Sequence, residues 1–353
     1  MSRTTARLEV AVSRTPPGKA YLDAWKAIES DADHDFFLGH VWIGAWQQVA
    51  KPVGDCYLAT SDGAPVGAAI ISNPPGNLRS ALRAEYRMHE TGIAGVDGLY
   101  IEYNGILARP EFARECLTSI VDALRRKPKN PLQRLAPTFL IVSAASPGFT
   151  RLMQKTFPDV RIFRKEKSPF VALDRLRTEK RPHLSALSAN ARSQLKHARR
   201  DIEAIGELAL QRAATVPQAL TFFGELKPLH IARWNLLGKP SAFDNPVFEP
   251  FVAALIESGV PTGAVDVLRA TAGGKPFGYL VNFRHQGACL NYTSGFAYDE
   301  FADLKPGLVS HLLAIEDADR NGSTSYNFLA GAARYKTSLS TDSEELCWLR
   351  LQL

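Results

Sequence analysis

Apolar positions recur along the chain with two periods, and the switches between them predict its elements. Tyr21, Leu22, Trp25 and Ile28, then Val41, Trp42, Ala45, Trp46 and Val49, fall at helical spacing and predict helices over 19–32 and 38–50. The apolar runs DCYLATS and PVGAAIIS flank Asp62-Gly63, a dipeptide that accepts the positive φ of a hairpin turn. From Pro74-Pro75-Gly76 to Gly95 the chain is long and polar, which predicts a loop or lid. VDGLYIEYNGIL predicts a strand over 96–107, followed by a helix over 111–127. TFLIVSA predicts another strand, followed by a short helix near 147–156 and strands near 160–164 and 168–174.

The stretch 175–190 is charged, poor in aromatic residues and broken by Pro182. It predicts a boundary between one domain over 1–178 and a second over 179–353. Helices are predicted over 187–204, 217–236 and 247–258. AVDVLRATA then leads through Gly273-Gly274 into strands over 276–284 and 288–296, a helix over 308–322 and a short strand over 325–330. Two of these segments repeat. DCYLATSDGAPVGAAII (55–71) aligns without gaps on DVLRATAGGKPFGYLVN (266–282), with Asp55/Asp266, Ala59/Ala270, Thr60/Thr271, Gly63/Gly274, Pro65/Pro276 and Gly67/Gly278 identical. Helices precede the hairpin in both halves, and a strand and a helix follow it. Duplication of one unit is therefore expected. The predicted fold class is α/β (mixed α+β): two similar domains in tandem, each a mixed β-sheet flanked by helices.

Composition narrows the function classes. A chain of 353 residues, 45% hydrophobic and 22% charged, is ordinary globular material with room for two cores. No apolar run reaches the ~18–20 residues that span a bilayer, and MSRTTARLEVAVSRTPPGK lacks an apolar export segment, so a cytoplasmic location is expected. Cys56, Cys116, Cys289 and Cys347 are scattered without a C-x-x-C pair, which predicts buried free thiols and no metal site. The net charge of +6 favours a phosphate-bearing or acidic ligand and falls short of a DNA-binding signature. Hydrolase, metalloprotease and kinase motifs do not stand out.

Lys305-Pro306-Gly307 carries the first chemical signal. A strand feeding a Pro-Gly turn at a helix start can hold an anion, since the first-turn N–H groups are unpaired and the helix dipole is positive there. Arg192, Lys196, Arg199 and Arg200 form one basic stripe on the helix over 187–204, suited to an anionic acceptor. His230, Arg233 and Trp234 share the helix over 217–236, where a core histidine is the plainer reading of His230.

SANARSQLKHARRDIEAIGEL (188–208), LHIARWNLLGKPSAFDN (229–245), LKPGLVSHLLAIEDADRNG (304–322) and YNFLAGAARYK (326–336) together resemble the CelD/BcsL branch of the GNAT acyltransferases. That branch shares its two-domain build with FemAB-type aminoacyl transferases. In the first half only the repeated hairpin and the ETG…IEYNG pattern (90–92, 101–105) match. The resemblance implies an acyl donor such as acetyl-CoA, an amine acceptor such as a polysaccharide amino-sugar, lipid-linked or free, and no metal. It implies donor phosphates at Lys305, Gly307, Leu308 and Val309. Lys336, Tyr335 and His230 are the catalytic candidates, Lys336 for oxyanion or phosphate charge and Tyr335 for protonating the thiolate. Arg192, Lys196, Arg233, Trp234 and Glu102 are the acceptor candidates. Two departures stand out: the phosphate loop is glycine-poor, and Asn327 stands where relatives carry Asp. An aminoacyl-tRNA donor, and a catalytically degenerate binding module, are the alternative expectations.

Overall fold

The computed structural model describes residues 8–73, 85–128, 137–301 and 304–353. In chain order the elements begin with β1 (Glu9–Arg14), α1 (Lys19–Glu29), α2 (His40–Ala50), β2 (Gly54–Ser61), β3 (Ala64–Ser72) and β4 (Glu85–Met88). There follow β5 (Leu107–Ala108), α3 (Ala113–Arg125), β6 (Phe139–Ala145), α4 (Pro147–Thr156) and β7 (Arg161–Ala172). Next come α5 (Leu173–Thr178), α6 (Ala189–Glu203), β8 (Leu208–Arg212), α7 (Val216–Leu236) and α8 (Phe248–Gly259). The chain closes with β9 (Val265–Ala272), β10 (Lys275–His285), β11 (Ala288–Phe296), α9 (Pro306–Arg320), β12 (Ser325–Asn327), α10 (Arg334–Leu339) and β13 (Asp342–Gln352).

Contacts divide the chain into two units, one reaching Lys165 and including Glu345–Leu353, the other Glu166–Glu344. The break expected at 178/179 falls at the end of α5, inside the second unit. There Arg177 bonds Asp319 at 2.6 Å and Arg175 bonds Asp342, so the charged stretch is docked by ion pairs. In the first unit the strand order is β1-β2-β3-β4-β6-β13, in the second β8-β9-β10-β11-β12-β7. Neighbours are antiparallel except β4 with β6 and β11 with β12, which are parallel. Each unit is thus a mixed sheet of one order. The last strand of each repeat closes the other repeat's sheet: β7 follows α4 yet pairs with β12, and β13 follows α10 yet pairs with β6.

The repeated hairpin is duplicated down to its irregularity. Ala59 pairs with Gly67 and Thr60 with Pro65, leaving Val66 as a bulge; at the offset of the sequence repeat, Ala270 pairs with Gly278 and Thr271 with Pro276, leaving Phe277. Asp55 and Asp266, identical in the repeat, are both buried. Asp55 is held by Arg14 and Lys127, and Asp266 by Arg212 and Arg284. Charge burial of this kind requires such partners. In the first unit Leu117, Ile120 and Val121 of α3 pack with Leu140, Val142 and Leu349. In the second, Leu312, Ile315 and Ala318 of α9 pack with Leu280, Tyr326 and Phe328.

Several expected elements change. The continuous strand over 96–107 does not form: Ala94–Asp97 is a helical turn, Tyr100 and Tyr103 have φ of 55° and 50°, and the pairing is limited to β5 with β3 and an isolated bridge of Asn104 to Ala145. Of the expected loop over 74–95, residues 74–84 lie outside the described residues and 85–88 are β4. The two strands near 160–174 are one, β7. The short strand expected over 325–330 stops at Asn327, and Arg334-Tyr335-Lys336 open a helix. All four cysteines are buried free thiols. Among the described residues no helix is long and apolar enough to cross a membrane.

Candidate active site

The site is built where β11 and β12 part. They pair over 288–290 and 325–327, and beyond Leu290 the ladder that β11 makes among the described strands is with β10. A bulge between Val281 and Asn282 in that ladder adds a residue to β11 just as the strands separate. One edge of β11 is therefore open to another extended chain.

Helices cover both faces of this strand at glycines. A Cβ at Gly295 would lie 2.5 Å from the Leu226 carbonyl oxygen of α7, and one at Gly278 would meet Ser310 of α9. Gly278 pairs with Phe296, the neighbour of Gly295, and successive residues of a strand face opposite ways, so the two helices lie on opposite faces. Close approach of α7 is what delivers His230, one turn beyond Leu226. Its Nδ1–H donates to the Ser294 carbonyl at 2.8 Å. A carbonyl only accepts, so Nδ1 carries the proton and Nε2 is left as a lone pair. Burial pushes the imidazole pKa below its ordinary value, which keeps it neutral near pH 7. Gly295→Ala should destabilise the chain by about 1–3 kcal/mol, since the backbone of α7 must move. Thermal unfolding would show it, and an unchanged melting temperature would mean that α7 yields freely.

On the other face His311, unremarked in the sequence, fills the fork. Its ring meets Phe296 at 5.6 Å, Phe328 at 5.4 Å and Tyr326 at 6.2 Å, bridging β11 to the end of β12. Tyr335 stacks on it at 5.0 Å and 16°, and its Nδ1 lies 3.2 Å from the Tyr326 hydroxyl. Burial, with Lys336 nearby, pushes the His311 pKa down to about 3. Burial also raises the Tyr335 phenol, so it stays protonated. His230 Nε2, Thr293 Oγ1, Ser310 Oγ and His311 Nε2 are all buried without a hydrogen-bond partner. Native interiors rarely leave such atoms unpaired; here His230 lies on the α7 face of β11 and Ser310 and His311 on the α9 face, so they flank the strand from its two sides.

The start of α9 is a helix N-terminus whose first turn closes on itself. Lys305 sits in the left-handed region at φ 54° and its side chain makes no cap; its Nζ reaches Gln194 Oε1 at 3.4 Å. Leu308 and Val309 N–H groups turn back to the Lys305 carbonyl. Val309 is fully buried and Leu308 packs against the core, so neither side chain reaches a ligand, and their N–H groups are already engaged. A Cβ at Gly307 would lie 2.9 Å from the Tyr298 hydroxyl and about as close to the Phe296 ring, so glycine here makes room for these side chains. Arg233 stacks over the Tyr298 ring at 4.4 Å, which brings its charge to the helix start. Tyr298 was not singled out by sequence; its signal is an aromatic residue between the open strand and the Pro-Gly turn.

The remaining expected residues divide. Lys336 Nζ donates to the Leu329 and Ala330 carbonyls at 3.1 and 2.7 Å, tying down the chain as it leaves β12. Trp234 lies one turn past His230, ring to ring at 5.7 Å. Of the stripe on α6, Arg199 bonds Glu203 and Glu316, and Arg200 bonds Asp201. Arg192 is half-buried and Lys196 exposed on the same helix, which packs on α9. Asn327 Oδ1 accepts from Ser168 Oγ and the Leu329 N–H, a structural use of the position. Glu102 is buried and belongs to the first unit.

In the first unit the corresponding fork is filled by the chain itself. β4 and β6 pair over 85–87 and 139–141, the same three-residue parallel pairing. Beyond it the Asn104 N–H donates to the Ala144 carbonyl at 3.1 Å, and the Ser146 N–H donates to the Asn104 carbonyl at 3.2 Å. The Asn104 side chain bonds the Met88 carbonyl and His89 Nδ1, so IEYNG staples the two strands.

Comparison with known proteins follows this division. Residues 189–337 match the family model of the acetyltransferase (GNAT) domain. No curated protein matches the chain in sequence. Among solved structures, FemX is similar over 97% of both chains, with a TM-score of 0.61 and 10% identity. L-PGS from Bacillus licheniformis is similar over 95% of this chain and 91% of its own, with a TM-score of 0.56 and 9% identity. A conserved protein of unknown function from Bacteroides thetaiotaomicron is similar over 97% and 100%, with a TM-score of 0.57 and 9% identity. At such identities the likeness is one of fold. Residues 189–337 of the second unit are thus similar to a GNAT acetyltransferase domain, and the chain is similar in fold to FemX.

Proposed function

We propose that the second unit is an N-acyltransferase that moves an acyl group from acyl-CoA to an amine. The open edge of β11 with unpaired buried polar atoms on either side carries this reading. A pantetheine arm is an extended chain with two amides and suits an unpaired strand edge. The pyrophosphate would lie at the start of α9, beside Lys305 and Arg233, with Arg192 and Lys196 on the neighbouring helix. His230 Nε2 takes the proton from the incoming ammonium. The amine nitrogen then bonds the thioester carbon, the C–S bond breaks, the Tyr335 phenol supplies a proton to the leaving thiolate, and the second nitrogen proton passes to the Tyr335 phenolate, so that the net proton leaves from His230. Lys336 shapes the fork through the carbonyls it holds. The CelD/BcsL resemblance makes an amino-sugar of a polysaccharide the acceptor of choice, free or carried on a lipid.

Isothermal titration with acetyl-CoA tests the donor. One equivalent per chain is expected, because Asn104 occupies the fork of the first unit. Two equivalents would show that the staple opens, and none would sink the donor assignment. The FemX-like fold and the basic residues of α6 favour one second reading, an aminoacyl-tRNA donor. Binding of charged tRNA that weakens steeply with salt, without binding of acetyl-CoA, would establish it instead.

A further inference from the structure

Helix α7 ends in an apolar tip that faces water. Leu236 is 73% exposed and Leu237 47%, Trp234 is half-buried beside them, and Asn235, Gly238, Lys239 and Pro240 are exposed. The other large apolar side chains exposed among the described residues are isolated in sequence, and isolated ones are ordinary. Here the adjacent pair is held on a fixed frame. Gly238 adopts φ 62°, its N–H donates to the Asn235 carbonyl at 3.0 Å, and the Lys239 N–H donates to the Trp234 carbonyl at 3.1 Å. That is a Schellman closure, which stops the helix from fraying. The leucines are therefore presented to solvent by a capped helix end.

A cation borders the tip. Exposed Lys239 follows it directly, Arg233 before it is turned away over the Tyr298 ring, and the nearby Asp244 is engaged in capping the Ser241 N–H at 2.8 Å. Leucine and tryptophan at the end with a lysine at the side is the chemistry of a bilayer interface, where apolar groups enter the acyl boundary and basic ones meet phosphate. We propose that this tip docks the chain on an anionic lipid surface. A second copy is the competing occupant. A two-fold contact through this patch would set Lys239 against its own copy, whereas lipid phosphate complements it. The net charge of +6 adds long-range attraction of the same sign. Trp234 lies one turn from His230, so a bilayer here would border the candidate base and suit an amine acceptor carried on a lipid. That choice of acceptor rests on the transferase reading; the docking does not.

Co-sedimentation of the full chain with phosphatidylcholine vesicles, with and without phosphatidylglycerol, tests the proposal. Binding is expected to the anionic vesicles, weakening with salt, and the Leu236→Glu/Leu237→Glu variant should bind at least about tenfold more weakly. Circular dichroism and acetyl-CoA titration of that variant should match the unmodified chain, and Leu236→Ser/Leu237→Ser replaces it if it fails to fold. Acetyl-CoA titration also reports the transferase reading separately from vesicle binding. The proposal fails if the unmodified chain stays in the supernatant or if the folded variant binds equally well. A dimer in light scattering that the variant splits would assign the tip to a second copy instead.

Discussion

Replacing His230 by asparagine should lower kcat/KM for acyl transfer by about 10²–10⁴-fold, the usual worth of a general base, or roughly 3–5 kcal/mol. Asparagine is the informative substitution. Its Nδ2–H can reproduce the donation that His230 Nδ1 makes to Ser294 at 2.8 Å, so α7 keeps its seat while the lone pair disappears. Alanine would lose both and confound rate with stability. The pH profile supplies a second signature. Burial lowers the His230 pKa, so the reactive neutral imidazole persists below the usual histidine range. The acid limb of kcat/KM should therefore fall at a pH below about 6.5 and vanish in the variant. A variant with an unchanged limb and rate would place the base elsewhere. Loss of rate with the limb intact would make His230 a positioning residue.

The repeat was readable because turn chemistry is local. Asp62-Gly63 and Gly273-Gly274 need positive φ, and Pro65 and Pro276 begin the returning strands, so six identities sufficed to align two hairpins that share register and bulge. What lay beyond local chemistry was not readable. β13 pairs with β6, far away in sequence, and its residues carry no mark of the sheet they complete. IEYNG looks like a strand by apolar content, yet Tyr103 at positive φ and Asn104 between two other strands make it a staple. The same limit applies to the site. Lys305-Pro306-Gly307 announces a helix start, but only the packed structure shows that Gly307 makes room for Tyr298 and Phe296. His311 sits in an apolar helical run and reads as core; it is core, and its unpaired Nε2 at the fork is a property of the fold alone.

Glu90→Gln should stabilise the protein by about 3 kcal/mol at about pH 8 and hardly at all at about pH 4. Glu90 belongs to the ETG motif of the first unit, just past β4, and is only 9% exposed. Burial, helped by the charge of Asp97, pushes its carboxyl up to about 7 from an ordinary 4.5, against the opposing pull of Ser143 and Arg87. The folded pKa is thus the higher one. Between these values the folded chain keeps a proton that the unfolded chain has released, so stability falls as pH rises through the window. Above about pH 7 the full cost of the buried carboxylate is present, and below about 4.5 it is absent. Glutamine is neutral throughout, can still accept from Ser143 Oγ as Glu90 does at 2.7 Å, and leaves Arg87 its 2.8 Å bond to Glu85. The buried His89 and His311, with pKa values lowered to about 4 and about 3, lower stability in acid equally in both proteins and cancel from the difference. Urea unfolding of both proteins at the two pH values measures that difference. Equal stabilities at the higher pH would mean that the carboxylate finds water or a cation when it ionises. A less stable glutamine variant would make the ionised Glu90–Arg87 pair a net support of the first unit.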